Sequence, residues 1–239
     1  MLEPSHQTPA VKKLLAPLDN AVGLAVLATA LIALGTALTW FYAPIDEDGL
    51  NQKIFYFHVP IALTAYATFG WGAWKALVHL WKKKPGADLE SYVAIHQGTI
   101  FGALTLITGS IWAKLRWGHW WLWGEQQLVL FLVIFLFYCT YFMLRYSVEA
   151  GPRRANLSAV YALLGVVLIP ISFLAIRLAE NYIHPVTFSR NGPQMAGSQF
   201  ATFLVCFAAF LALAGALYRL ELLGKRLDTK LRELRELVL

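Results

Sequence analysis

The chain has 239 residues, of which 58% are hydrophobic and only 14% charged, with a formal net charge of +6. Soluble domains carry about 25% charged residues, so the composition excludes an ordinary soluble domain, and no basic stripe with interleaved polar readers marks a nucleic-acid face. Cys139 and Cys206 both fall inside apolar runs, outside any C-x-x-C or C-x-x-C-H pattern, which argues against a thiol reductase or a c-type cytochrome.

Apolar runs of about 20 residues, enough to cross ~30 Å of hydrocarbon, recur along the chain. Backbone surrounded by lipid has no water to bond and must be helical. The fold expected is all-α: a polytopic membrane protein, one bundle of six transmembrane helices. Residues 1–17 are polar, with Lys12 and Lys13 before the first span, at about 20–42. That run is too long for a signal-peptide core and lacks a small-residue cleavage site, so it reads as a retained helix. A loop with Asp46, Glu47 and Asp48 leads to the second span, about 55–80. The third is about 92–113, where Gly98 and Gly102, four apart, favour close helix approach. After a tryptophan-rich loop come the fourth span, about 128–146, and the fifth, about 157–179, where Pro170 should kink the helix. A polar loop with Asn191-Gly192-Pro193 precedes the sixth, about 200–220. In the tail, 221–239, leucines 223, 227, 231, 234 and 237 recur at helical spacing among charges. The tail therefore reads as an amphipathic helix that lies on the membrane or leaves it.

Lys and Arg bias sets the orientation. One set of flanks holds Lys12, Lys13, Lys82, Lys83, Lys84, Arg145, Arg153, Arg154, Arg219 and five tail cations; the other holds only Lys53, Lys114, Arg116 and Arg190. The richer side is read as cytoplasmic. Both termini and the tail then lie inside, and the loops at 43–54, 113–127 and 180–199 face outside.

The densest chemistry lies in one outer loop, Arg116-Trp-Gly-His-Trp-Trp-Leu-Trp-Gly-Glu-Gln-Gln127. Trp117, Trp120, Trp121 and Trp123 are either an unusually rich interfacial belt or a platform for a flat aromatic ligand. Two further outer histidines stand at matching depth: His58 at the start of the second span and His184 just beyond the fifth. Either could be a solvated ring, yet ionisable residues at membrane depth default to function. Haem iron takes axial imidazoles, and two histidines from distant loops could approach it from opposite faces. Its propionates want cations, for which Lys114, Arg116, Arg177 and Arg190 are candidates. Glu125, the loop's one carboxylate, and His119 are candidate polar contacts. No nucleophile–base constellation and no Walker motif is present, so the chain reads as a non-enzyme that hydrolyses no nucleotide itself.

The tryptophan loop, Phe57-His58-Val-Pro60, Thr108-Gly-Ser-Ile-Trp-Ala-Lys114 and the histidine of Asn181–Pro185 together resemble the haem exporter protein C family of cytochrome c maturation. The likeness runs from about residue 40 to 220. It implies a six-helix membrane bundle in the cell's inner (plasma) membrane, with the haem site facing the periplasm. It implies that His58 and His184 are the external haem-associated histidines, ligands to the iron of a haem b that is cargo, and that the four tryptophans belong to the haem-handling loop. The partners implied are a membrane-anchored haem chaperone, an ATP-binding cassette subunit, a second permease-like subunit and a small single-span protein, besides membrane lipid. The family loop typically reads W-G-x-W-W-x-W-D-x-R-L-T. Here Gly124 stands at the Asp position, Gln126 at the Arg position, His119 where Thr is frequent, and Glu125 one place after the missing Asp. The alternative is a membrane electron-transfer subunit with b-type haem, a class that buries its histidines well inside the spans.

Overall fold

The computed structural model describes residues 9–45, 49–178, 188–189 and 192–238. It is a bundle of long helices: α1 Pro9–Phe41, α2 Phe55–Lys82, α3 Ala87–Trp117, α4 Gln126–Ser147, α5 Pro152–Leu178 and α6 Gly197–Val238. A 3₁₀ turn, Gly49–Ile54, leads into α2. A two-residue antiparallel ladder, β1 Phe188–Ser189 with β2 Gly192–Pro193, precedes α6. All-α architecture follows from the composition, and each expected span lies within a helix to a residue or so.

Among the described residues, five helical segments are long and apolar enough to cross a membrane: Leu18–Phe41, Ala87–Trp117, Gln126–Ser147, Pro152–Leu174 and Gly197–Leu237. The sixth expected span, α2, has the length, at 28 residues, or about 42 Å at 1.5 Å per residue. Its composition is the difference, because Tyr56, His58, Thr64, Tyr66, Thr68, Lys75 and His79 dilute its apolar content. Much of this polarity is spent inside the protein. α2 packs against α3, α5 and α6, with Tyr56, Thr64, Phe69 and Ala76 fully buried.

One layer ties four helices together. Phe69 of α2 stacks on Tyr138 of α4, with centroids 3.8 Å apart and planes 5° from parallel. A Cβ on Gly98 of α3 would come within 2.6 Å of Phe69, and one on Gly165 of α5 within 2.7 Å of Tyr138. The stacked rings thus occupy the space that two missing side chains leave. Gly102 instead meets Phe135 of α4, where a Cβ would lie 3.1 Å away. The Gly98–Gly102 pair therefore serves two neighbours rather than one. Close backbone approach recurs at Ser91, whose Oγ donates to the Gly72 carbonyl at 2.8 Å.

α1 packs on α6, where Cys206 faces Gly35 and lies 3.9 Å from the Thr39 hydroxyl. Cys206 is a buried free thiol; Cys139, also free, is half-buried. Lys53, buried, donates to the Ala43 carbonyl at 2.8 Å and so pins the connection between α1 and α2. α5 is continuous through Pro170. The tail does not turn aside either: α6 runs for 42 residues as one helix, and every residue from Arg226 to Leu237 is exposed.

Candidate functional site

α2 begins and α3 ends at the same end of the bundle. Gly118 stops α3 in a left-handed conformation, φ 77°, its N–H donating to the Lys114 carbonyl at 3.1 Å. Glycine carries no Cβ penalty there. The chain then doubles back through a compact turn, in which the Glu125 N–H donates to the Leu122 carbonyl at 3.1 Å, and enters α4.

Between these elements lies a cleft with about 530 Å³ of empty space, its open mouth included. Its walls come from three helices and the loop: His58, Ala62 and Tyr66 of α2; Thr105, Gly109 and Trp112 of α3; Phe131 of α4; and Trp121. Tyr66 is held edge-on against Phe131, centroids 5.4 Å apart. Trp112, buried, takes Trp117 edge-on at 4.8 Å. The cleft is therefore apolar and aromatic with few polar atoms. The Trp121 indole lines it, and its buried Nε1–H has no hydrogen-bond partner among the described residues. The His58 imidazole also lines it, and its Nδ1 lies 2.9 Å from the Thr108 hydroxyl.

The residues singled out from sequence divide sharply. His58 and Trp121 line the cleft together. Trp123 meets Trp121 edge-on at 5.8 Å but is 75% exposed, and Trp120 is 60% exposed. Trp117 is not among the residues that line the cleft, but it meets Trp112, which is. Lys114 donates to the Gly118 carbonyl at 2.9 Å and so helps close α3. Arg116 and His119 are exposed, whereas Glu125 is buried at the start of α4. Arg177 lies in the last turn of α5. The Arg177 side chain, His184 and Arg190 fall outside the described residues. Among the described residues no three His, Cys, Asp or Glu side chains converge as a metal cage. Among the described residues the cleft offers one imidazole, aromatic rings and the Trp121 indole.

Sequence reasoning passed over Tyr66 and Phe131, and it read Thr108, Gly109 and Trp112 only as part of a motif, without a place in the site. The signal was helical spacing. Positions 58, 62 and 66 share one face of α2, and 105, 109 and 112 one face of α3. A search for residues in phase with His58 would have found the first set.

The model of the haem exporter protein C family matches residues 7–236. A haem exporter protein C of Paracoccus denitrificans is 32% identical over 200 residues, 80% of this chain and 83% of that protein. The Haemophilus influenzae protein of the same name is 29% identical over 202 residues, 81% of each chain. A ccmC-like mitochondrial cytochrome c biosynthesis protein of Marchantia polymorpha is 29% identical over 192 residues, 80% of this chain and 81% of its own. With matches of this extent over the same helices that build the cleft, the chain belongs to the haem exporter protein C family.

Proposed function

We propose that this protein holds haem in the cleft beside His58 and passes it on during cytochrome c maturation. The observation that carries the reading is that the His58 imidazole and the Trp121 indole, whose buried N–H has no hydrogen-bond partner among the described residues, line a single aromatic cleft at the bundle's end. Tyr66, Trp112, Trp121 and Phe131 offer ring faces and edges to a porphyrin. His58 supplies an iron ligand, and His184, from the loop after α5, supplies the second. The exposed Trp120 and Trp123 extend the aromatic surface towards a receiving partner. Exposure suits a cargo that must leave, and His58 sits in the first turn of α2 rather than in mid-bundle. That position favours delivery over buried electron transfer between b-type haems.

In this reading α2 is the sixth span, both termini are cytoplasmic, and the tryptophan loop faces the periplasm across the inner membrane. The recipient is a membrane-anchored haem chaperone. An ATP-binding cassette subunit, a second permease-like subunit and a small single-span protein complete the assembly, and energy for release comes from that ATPase. The chain performs no bond chemistry of its own.

The test is the absorption spectrum of the purified protein. A haem Soret band is expected in the wild type and should be lost or shifted in His58→Ala and in His184→Ala. A haem-free wild type from haem-replete cells would overturn the reading.

A further inference from the structure

A hydroxyl has one hydrogen to donate and two lone pairs with which to accept. Thr108 Oγ1 lies 2.8 Å from the Leu104 carbonyl oxygen, one helical turn back, and 3.3 Å from that of Thr105. Two oxygens 2.8 Å apart repel unless a proton lies between them, and this is the usual length of an O–H···O bond. The hydroxyl proton is thus committed to α3's own backbone. The same oxygen is 2.9 Å from His58 Nδ1. It meets that nitrogen only through a lone pair, so Nδ1 must carry the ring hydrogen. A neutral imidazole has one N–H, and its remaining in-plane electron pair is then on Nε2.

The neighbouring residue fixes where the ring lies. A Cβ at Gly109 would stand 2.9 Å from His58 Cε1 and 3.6 Å from Nε2. The imidazole rests against α3 where a side chain is missing. α3 thereby sets both the placement and the protonation pattern of a histidine that belongs to α2.

We infer that Thr108 is a positioning residue that holds His58 in the Nδ1–H tautomer, with Nε2 as the nitrogen that binds iron. The iron-binding half rests on the haem reading above; the tautomer half does not. Metal-bound histidines commonly donate their second N–H to a partner that fixes the ring, and a carboxylate in that place raises the ligand's basicity. A threonine hydroxyl orients without adding charge. A ligand of ordinary basicity suits iron that has to be released.

The experiment uses full-length, haem-free protein labelled with 15N-histidine, in which ring proton–nitrogen couplings distinguish the two tautomers. The His58→Ala spectrum identifies the signal. Nδ1–H is expected at His58 in the wild type and in Thr108→Ser, and a shift towards Nε2–H in Thr108→Val. The wild-type spectrum alone can overturn the inference, since Nε2–H at His58 contradicts it whether or not any variant folds. An unchanged tautomer in Thr108→Val also overturns it. Haem retention, read from the Soret band, should fall about tenfold in Thr108→Val and recover in Thr108→Ser. A shifted tautomer with unchanged retention would overturn the iron-binding role of His58 while leaving the tautomer assignment standing.

Discussion

The two ends of this bundle are built on opposite principles. At the tryptophan-loop end, three helices stand around an open aromatic cleft with few polar atoms. At the other end, charges lock the helices together. Arg145 of α4 makes a bidentate pair with Asp88 of α3, at 2.7 and 2.8 Å. Glu90 of α3 takes Lys75 of α2 at 2.7 Å and Arg226 of α6 at 3.1 Å. Glu221 of α6 accepts from Gln97 at 2.6 Å and pairs with His96 at 2.9 Å. Tyr92 lies beneath both Arg145 and Lys225, each 4.8 Å from its ring. Orientation at one end is fixed by directional ion pairs. The other end keeps an open aromatic cleft between the same helices.

That contrast can be broken from either side. The largest effect is expected from Arg145→Ala, because the pair is largely buried, with side-chain exposures of 7% and 25%. Removing one partner strands the other charge, at a cost of about 3–5 kcal/mol. A thermal melt in detergent should show the loss, and a melt within a degree of wild type would mean the pair locks nothing. Next comes His58→Ala. It should cost on the order of a hundredfold in haem retention, about 2.7 kcal/mol, while leaving the melt of the haem-free protein unchanged. A comparable loss of stability would make His58 a structural residue and blur the division between the ends.

Between the two ends, Gly165→Leu should force Tyr138 off Phe69 and destabilise the bundle by about 2 kcal/mol, as overpacking does. The melting temperature would report it. Trp121→Phe keeps an aromatic ring but removes the N–H that is buried without a partner among the described residues. If haem supplies the acceptor, retention should drop about fivefold, or ~1 kcal/mol. No change would reduce Trp121 to wall. The smallest effect is assigned to Arg226→Ala, whose partner pair is half exposed on the arginine side. Such a pair contributes less than about 1 kcal/mol, and the difference should vanish in high salt.

The sequence carried the helices far better than it carried the cleft. Uncharged runs are long-range signals that need no tertiary knowledge, and α1, α3, α4, α5 and α6 follow from them. α2 is less plain, because a helix surrounded by protein need not be greasy all round; its threonines and tyrosines dilute the apolar run read at about 55–80, where the helix is 28 residues long. The tail's continuity with α6 was likewise undecided, since amphipathic spacing alone does not say whether a helix bends onto a surface. At the site, His58 and Trp121 were legible as chemically unusual residues. Phe131 was not, and Thr108 and Gly109 stood out only as part of a motif, because what each does at the site shows only when a neighbouring helix is laid against it. The four tryptophans looked equivalent in the sequence and separate once the loop folds, Trp121 turning inward while Trp120 and Trp123 stay exposed.

The unbroken course of α6 has a mechanical side. At 42 residues it is a rod of about 63 Å, twice the thickness of a bilayer's oily layer, and it contains no proline. A continuous helix without proline has no sharp kink of the proline kind at which the tail would turn away. Its tie to α3 is at Glu221, which pairs with His96 and accepts from Gln97.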